Sequence, residues 1–191
     1  MRCLLCEHLS PHHICNSCQE LFLQPSLYKR KLSNGIEVYS FYKYSDIKEL
    51  LFTKHTDLGF YIYTILARLS FKKFTNEFVF EEKVASIAID DNIDYGYSHT
   101  AVLNKELKSN AIHPVFNKLR AKNRLSYSGK SKEFRRQNPR EFQLKPFKEN
   151  SLILVDDIIT TGTTLTEATN LLKENQKEIL FCLTLADVSI K

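Results

Sequence analysis

Apolar and polar positions along the chain fall into blocks that predict strands and helices in turn. Ile36 to Tyr44 is rich in β-branched and aromatic residues and reads as a strand, and Val84 to Ile89 is a short apolar strand. Between them, Asp46 to about Lys73 carries Leu50, Leu51, Ile62, Ile65, Leu66 and Leu69 at helical spacing and is predicted as one helix. A helix from about Ser98 to Lys108 then precedes the strand-like stretch Ala111 to Phe116, in which Pro114 indicates a sheet edge or a kink. Leu152 to Val155 is an unbroken apolar run, the pattern of a strand covered on both faces. An amphipathic helix, Leu165 to Leu172, and a last strand, Ile179 to Ala186, follow. Strands alternating with helices predict right-handed crossovers and a parallel sheet, hence an α/β fold without internal repeats.

What lies between the buried strand and its helix carries the chemistry. Asp156 and Asp157 stand where the strand ends, the place where open α/β sheets bind ligands, and their oxygens can accept hydrogen bonds from two adjacent ribose hydroxyls. The loop Thr160, Thr161, Gly162, Thr163, Thr164 leads into the helix, so unpaired backbone N–H groups and the helix dipole favour a phosphate there. The plainer alternative is a buried strand closed by an Asp turn, with Thr163 or Thr164 as helix N-cap. Residues Leu152 to Thr164 resemble the phosphoribosyl pyrophosphate (PRPP) signature of type I phosphoribosyltransferases. The resemblance implies the fold of that family, PRPP contacts from Asp156, Asp157 and Thr160 to Thr164, and Asp156 and Asp157 as the catalytic pair.

A second motif lies at the N-terminus. Cys3-Leu4-Leu5-Cys6 and Cys15-Asn16-Ser17-Cys18 are two CxxC knuckles eight residues apart, in a chain with only one other cysteine. Two knuckles can close a tetrahedral four-thiolate zinc site, the reading preferred here to a pair of disulfides. His8, His12 and His13 lie between the knuckles but find no vacancy among four thiolates, and Cys182 sits in an apolar run as a core residue. The expected organisation is a zinc module over residues 1–24 and an α/β domain over 25–191.

The chain has 191 residues, 43% of them hydrophobic, enough for one core domain with a small appendage. No apolar run approaches the roughly eighteen residues that a membrane span needs. The N-terminus lacks the charged-then-apolar run of a secretory signal, so reduced, metal-bound cysteines in the cytoplasm are the expectation.

Charge adds a third feature. Residues 117–148 hold eleven Lys or Arg against Glu133 and Glu141, a net +9 in a chain whose total is +5. With little apolar content and Ser126, Ser128, Gly129, Ser131 and Pro139 interspersed, this segment is predicted as a long mobile loop. Tyr127, Phe134 and Phe142 punctuate cations such as Lys132, Arg135, Arg136 and Arg140. Single-stranded nucleic acid suits that mixture, phosphates pairing with cations and bases stacking on rings. A lid over PRPP, with Tyr127 or Lys132 closing on the ligand, and a merely solvated loop are the other readings.

Zinc knuckles followed by a PRPP-type α/β domain resemble the ComF family of bacterial natural transformation. The resemblance also takes in Tyr42 to Leu51 with Lys54 soon after, and Arg135-Arg136-Gln137-Asn138-Pro139-Arg140-Glu141-Phe142. It implies handling of incoming single-stranded DNA on the cytoplasmic side of the inner membrane, with PRPP bound and other DNA-uptake proteins as partners. The chain departs from the family before the first phosphate loop. Where the family has a Pro-Val-Pro strand end and an Arg-Gly-Phe-Asn-Gln turn, this sequence has Ile87 to Asp91 and Tyr95 to His99. Asp90, Asp91 and Asp94, with Gly96, would face pyrophosphate and repel it unless a magnesium ion intervened; as surface turn residues they would do neither. The alternative function is transfer of ribose 5-phosphate from PRPP to an unidentified nucleophile. Only five residues follow Ala186, so cover for such a site is expected from the N-terminal part.

Overall fold

The computed structural model describes residues 1–80, 82–90, 96–122 and 140–190. Seven strands form one sheet: β1 (Tyr28–Lys31), β2 (Glu37–Lys43), β3 (Val84–Asp90), β4 (Ile112–Ala121), β5 (Phe142–Leu144), β6 (Ser151–Ile159) and β7 (Glu178–Asp187). Their spatial order is β1-β2-β7-β6-β3-β4-β5. The five inner strands run parallel, and β1 and β5 are antiparallel edges. This is the expected α/β arrangement.

The unbroken apolar run in β6 has its explanation in the two layers it separates. Ile153 and Val155 pack with Tyr63, Leu66 and Leu103, while Leu152 and Leu154 pack with Leu165, Ala168 and Leu172. Each side chain alternates to the opposite face and meets a helix there. One layer holds α2 (Tyr44–Leu51), α3 (Asp57–Ala67), α4 (Lys73–Glu77) and α5 (His99–Lys105); the other holds α6 (Thr163–Glu174). Near the N-terminus, α1 (Asn16–Phe22) carries the second knuckle.

Three expectations need correction. The helix predicted from Asp46 to Lys73 is broken by a 3-10 turn, Phe52–His55, and by Thr56 in extended conformation. Thr53 and Thr56 turn their hydroxyls back onto the carbonyls of Leu50 and Thr53, a local alternative to helix continuation. A π-helical turn, Arg68–Lys72, interrupts it again before α4. The edge strand β1 was missed because charged residues alternate with half-buried ones, and its turn into β2 uses Gly35 at φ 85°. Finally, the segment predicted as loop from 117 to 148 enters as β4 and leaves as β5, which pair from Leu119↔Leu144 to Ala121↔Phe142. Leu119 is buried between Lys118 and Arg120, an alternation that the high charge obscured.

Pro114 proves to be both at an edge and beside a kink. β5 reaches only residues 119–121 of β4, so among the described residues Pro114 has β3 as its strand partner and no ladder on its outer side. The register then shifts, Val115 opposing Ile87 and Leu119 opposing Ile89, with Asn117 at φ 56° inside the bulge. Buried Asn104 of α5 ties the two strands by donating to the carbonyls of Ser86 and Val115.

The cysteine knuckles do not stand apart from this core. Cys3, Ile14, Cys18 and Leu23 belong to the same buried cluster as Phe41, Tyr42 and Ile62. Tyr42 donates its hydroxyl to the Leu23 carbonyl at 2.9 Å, and the His13 ring lies 4.6 Å from that of Tyr61 on α3.

Candidate functional site

Parallel strands that end together leave their carbonyl ends facing one crevice, and here three carboxylates gather at it. Asp90 closes β3, and Asp156 and Asp157 stand near the end of β6, all three nearly buried. Successive strand residues face opposite sides, so Asp157 turns toward α3 and α5. There Oδ2 meets Lys54 Nζ at 3.1 Å, His99 Nε2 at 3.2 Å and the Tyr63 hydroxyl at 3.4 Å, while Oδ1 accepts from the amide of Ile158. Burial alone would raise the Asp157 pKa. The Lys54 charge, with His99, outweighs it and holds the carboxyl well below the usual range. Asp156 accepts from the amide of Asp157 at 2.9 Å.

Lys54 reaches this carboxylate because the helix breaks. The 3-10 turn that carries it lies against the end of β6 and is fixed from outside by Tyr97, whose hydroxyl donates to the Lys54 carbonyl at 2.7 Å. Burial pushes the Tyr97 phenol up to about 12. Gly59 makes room for it, since a Cβ there would collide with the Tyr97 hydroxyl and the Thr53 carbonyl. Tyr63 is likewise pushed well above its ordinary value by burial and by the Asp157 charge.

The loop after β6 follows its sequence expectation in shape. Gly162, at φ 80°, is the N-cap of α6 and has no side chain to bond the first-turn amides, which lack intrahelical acceptors as in any helix; the Thr163 amide makes a long contact of 3.5 Å to the Thr161 hydroxyl. The hydroxyls of Thr161 and Thr163 bond each other at 2.9 Å. On the far side, Arg30 of β1 donates to the Thr160 carbonyl at 2.9 Å and pairs with Asp187 at the end of β7. Arg30, Asp187, Tyr63 and His99 were not singled out by sequence reasoning, and Lys54 entered only as part of a family-like stretch.

Beside Asp90 opens a cleft of about 570 Å³, with Gly96 and Tyr97 on one wall and Phe116, Lys118, Arg120 and Lys145 on the other. Gly96 takes φ 78°. Of the other residues assigned to this loop and to the basic segment, Asp91, Asp94, Tyr127, Lys132, Arg135 and Arg136 lie outside the described residues. Arg140 is described, and its backbone amide donates to Glu167 on α6 at 2.9 Å.

At the N-terminus the four cysteine sulfurs all lie within 4.8 Å of one another, Cys6 and Cys15 at 3.7 Å. A tetrahedral zinc with Zn–S bonds near 2.3 Å needs sulfurs about 3.8 Å apart, so the donors fit that ion. The Cys15 amide donates to the Cys3 sulfur at 3.3 Å, the bond expected of a thiolate ligand. No histidine joins the group, and no comparable set of carboxylates assembles among the described residues. Nor is any described helix long and apolar enough to cross a membrane.

Curated protein sequences include none that matches this chain. Among solved structures, similarity extends to a hypoxanthine phosphoribosyltransferase from Staphylococcus aureus, at 18% identity and a TM-score of 0.41 over 65% of this chain and 62% of that one. It extends also to an orotate phosphoribosyltransferase from Aeropyrum pernix, at 16% identity and 0.41 over 91% and 81%. An adenine phosphoribosyltransferase from Saccharomyces cerevisiae matches at 18% and 0.41 over 90% and 88%. The chain thus spans less than two thirds of the Staphylococcus protein, and likenesses this distant assign no substrate. Residues 111–191 match the family model of the phosphoribosyl transferase domain, so the mostly parallel sheet whose β6 carries Asp156 and Asp157 is of the phosphoribosyltransferase type.

Proposed function

We propose that this chain binds PRPP at the ends of β3 and β6 and serves natural transformation, handling incoming single-stranded DNA on the cytoplasmic side of the inner membrane as the ComF resemblance implies. The observation that supports PRPP most directly is the strand, carboxylate pair, uncapped loop and helix from Leu152 to Glu174, set in the middle of a parallel sheet. In this reading the loop from Thr160 to Thr164 receives the 5-phosphate and Asp156 and Asp157 orient the ribose hydroxyls. Because Asp157 already carries Lys54, the cation would move between carboxylate and ligand phosphates as the site fills. Asp90, almost buried at the end of β3, and its sequence neighbours Asp91 and Asp94 would hold magnesium against pyrophosphate. The zinc module and the body of the chain act as one unit, with domains at 1–24 and 25–191 as proposed divisions.

Lys118, Arg120 and Lys145 at the root of the basic segment, beside half-exposed Phe116, support a nucleic-acid role. A second reading, phosphoribosyl transfer to an unidentified nucleophile, draws on the 3-10 turn that covers the end of β6 and could supply one wall of an acceptor site.

The test combines binding and genetics. PRPP with magnesium should raise the melting temperature, by roughly 2.7 kcal/mol of added stability at a hundredfold excess over Kd. A D156A/D157A double variant should bind none and fail to complement a transformation-deficient strain. Affinity for single-stranded DNA should fall with salt at a log-log slope of about −0.7 per phosphate neutralised, and R135A/R136A/R140A should flatten it. An unchanged melting temperature at saturating PRPP overturns the ligand, and wild-type DNA binding by the triple variant at every salt concentration overturns the nucleic-acid contact. Pyrophosphate release on addition of candidate bases would favour the transferase.

A further inference from the structure

We infer that Arg30 is a positioning residue that presets the anion loop after β6 without itself contacting the ligand, an inference that rests on the reading of that loop as a ribose-phosphate cradle. Its guanidinium occupies the junction of three separate segments. Nη1 donates to both carboxylate oxygens of Asp187, at 3.0 and 3.3 Å, and to the Ser189 hydroxyl at 2.9 Å. Nη2 donates to the carbonyl of Thr160 at 2.9 Å. Asp187 is itself fixed, since its Oδ1 also accepts from the amide and hydroxyl of Ser189, and its side chain is 1% exposed. One planar fork therefore ties the edge hairpin, the end of β7 and the first residue of the loop.

The loop in turn is shaped to let that fork approach. A Cβ on Gly162 would stand 2.9 Å from the Leu32 side chain and 3.4 Å from Arg30 Nη2. So the hairpin lies directly against the backbone of the loop. With a carbonyl as its acceptor, Nη2 turns the Thr160 peptide one way and hence sets the direction of the amide that follows. Lysine could keep the pairing with Asp187 but has one nitrogen, not two in a fixed plane, and cannot hold the Thr160 carbonyl as well. Residue 30 also lies outside the 111–191 stretch that matches the phosphoribosyl transferase domain, so the cradle is completed from elsewhere in the chain.

The experiment titrates full-length wild type, R30K and D187N with ribose 5-phosphate and, separately, with magnesium pyrophosphate, recording thermal melts and zinc content in parallel. Wild type should bind both ligands. R30K should melt close to wild type, lose about tenfold in ribose 5-phosphate affinity, the equivalent of one charge-assisted hydrogen bond, and keep pyrophosphate affinity. D187N should show the same selective loss. Recovery of full ribose 5-phosphate affinity in R30K would overturn the inference, because lysine can contact a phosphate directly but cannot orient the Thr160 peptide. An equal loss of both ligands together with a large fall in melting temperature would overturn it too, leaving Arg30 a fold residue only. Failure of wild type to bind ribose 5-phosphate, with pyrophosphate still bound, would instead sink the reading of the cradle on which the inference stands.

Discussion

Lys54 and Asp157, 103 residues apart in sequence, form an ion pair of 3.1 Å in which the carboxylate is almost buried and the ammonium about three quarters so. The pair exists because a helix is interrupted. Had α2 and α3 been continuous, residue 54 would lie on a helical surface and not at the end of β6. The broken helix thus exchanges regular hydrogen bonds for one cation placed at the crevice.

Removing the cation alone should be costly. Lys54→Met leaves Asp157 with His99 and Tyr63 but without its principal charge, and a loss of about 3 kcal/mol in urea denaturation is expected. Pairing it with Asp157→Asn should restore most of that loss. A double variant no more stable than Lys54→Met would show that the pair is not coupled.

Acid should act on the same carboxylate. Its folded-state pKa lies below the unfolded value of about 3.9, so the stability it contributes is complete above that value and disappears as pH falls through it toward the folded pKa. Asp157→Asn should therefore flatten the urea midpoint between about pH 4 and pH 2 relative to wild type. Parallel curves for the two proteins across that window would count against the assignment.

Metal removal should be felt beyond the knuckles. Because Cys3, Cys18, Ile14 and Leu23 share a buried cluster with Phe41 and Ile62, chelation of a metal held by the four cysteines, or Cys6→Ser with Cys15→Ser, should lower one cooperative melting transition for the whole chain. Calorimetry that resolves two independent transitions, one of them indifferent to chelator, would contradict this.

Gly162→Ala tests the loop itself. A left-handed φ of 80° costs a Cβ-bearing residue about 1 to 2 kcal/mol, and the added methyl must also displace the Leu32 side chain. We expect a stability loss of that size, read by chemical denaturation, with PRPP binding falling further than the stability change explains. Binding equal to wild type would mean that the loop backbone does not approach the ligand.

Asn104→Ala removes the amide that bridges β3 and β4 and takes a donor from two carbonyls, the buried one of Ser86 and the part-buried one of Val115. The expected cost is about 2 kcal/mol, since a buried acceptor deprived of its donor is left with its desolvation uncompensated. Hydrogen exchange should localise the change to the bulge around Asn117. A uniform effect over the sheet would argue against a local tie.

What the sequence made legible was whatever is contiguous. Asp156 to Thr164 and the two CxxC knuckles each place their chemistry within a few residues, so spacing alone conveys geometry. Lys54, Tyr63 and His99 reach Asp157, and Arg30 the far side of the loop after β6, from four separate elements, and only the strand order brings them there. Amphipathic spacing over 46–73 was genuine but could not reveal a change of phase, because two helices with one common core face look like one. The threonines at 53 and 56 were the available signal. Charge misled in β1 and β4, where solvent-facing Lys and Arg masked the buried alternates; Leu32 two places after Arg30, and Leu119 between Lys118 and Arg120, marked the period of two.

The pairing of β2 with β7 bears on how the chain is made. Val38 opposes Cys182, so a strand synthesised early acquires its parallel neighbour only after about 144 further residues have been added. At roughly 5 to 20 residues per second, the ribosome exposes β2 for about seven to thirty seconds before β7 emerges. During that interval the strand has only its antiparallel hairpin with β1 to occupy one edge, and its other edge awaits a partner that does not yet exist. The four-cysteine knuckles, complete after eighteen residues, can close at the start of that wait and give the nascent chain its first fixed point.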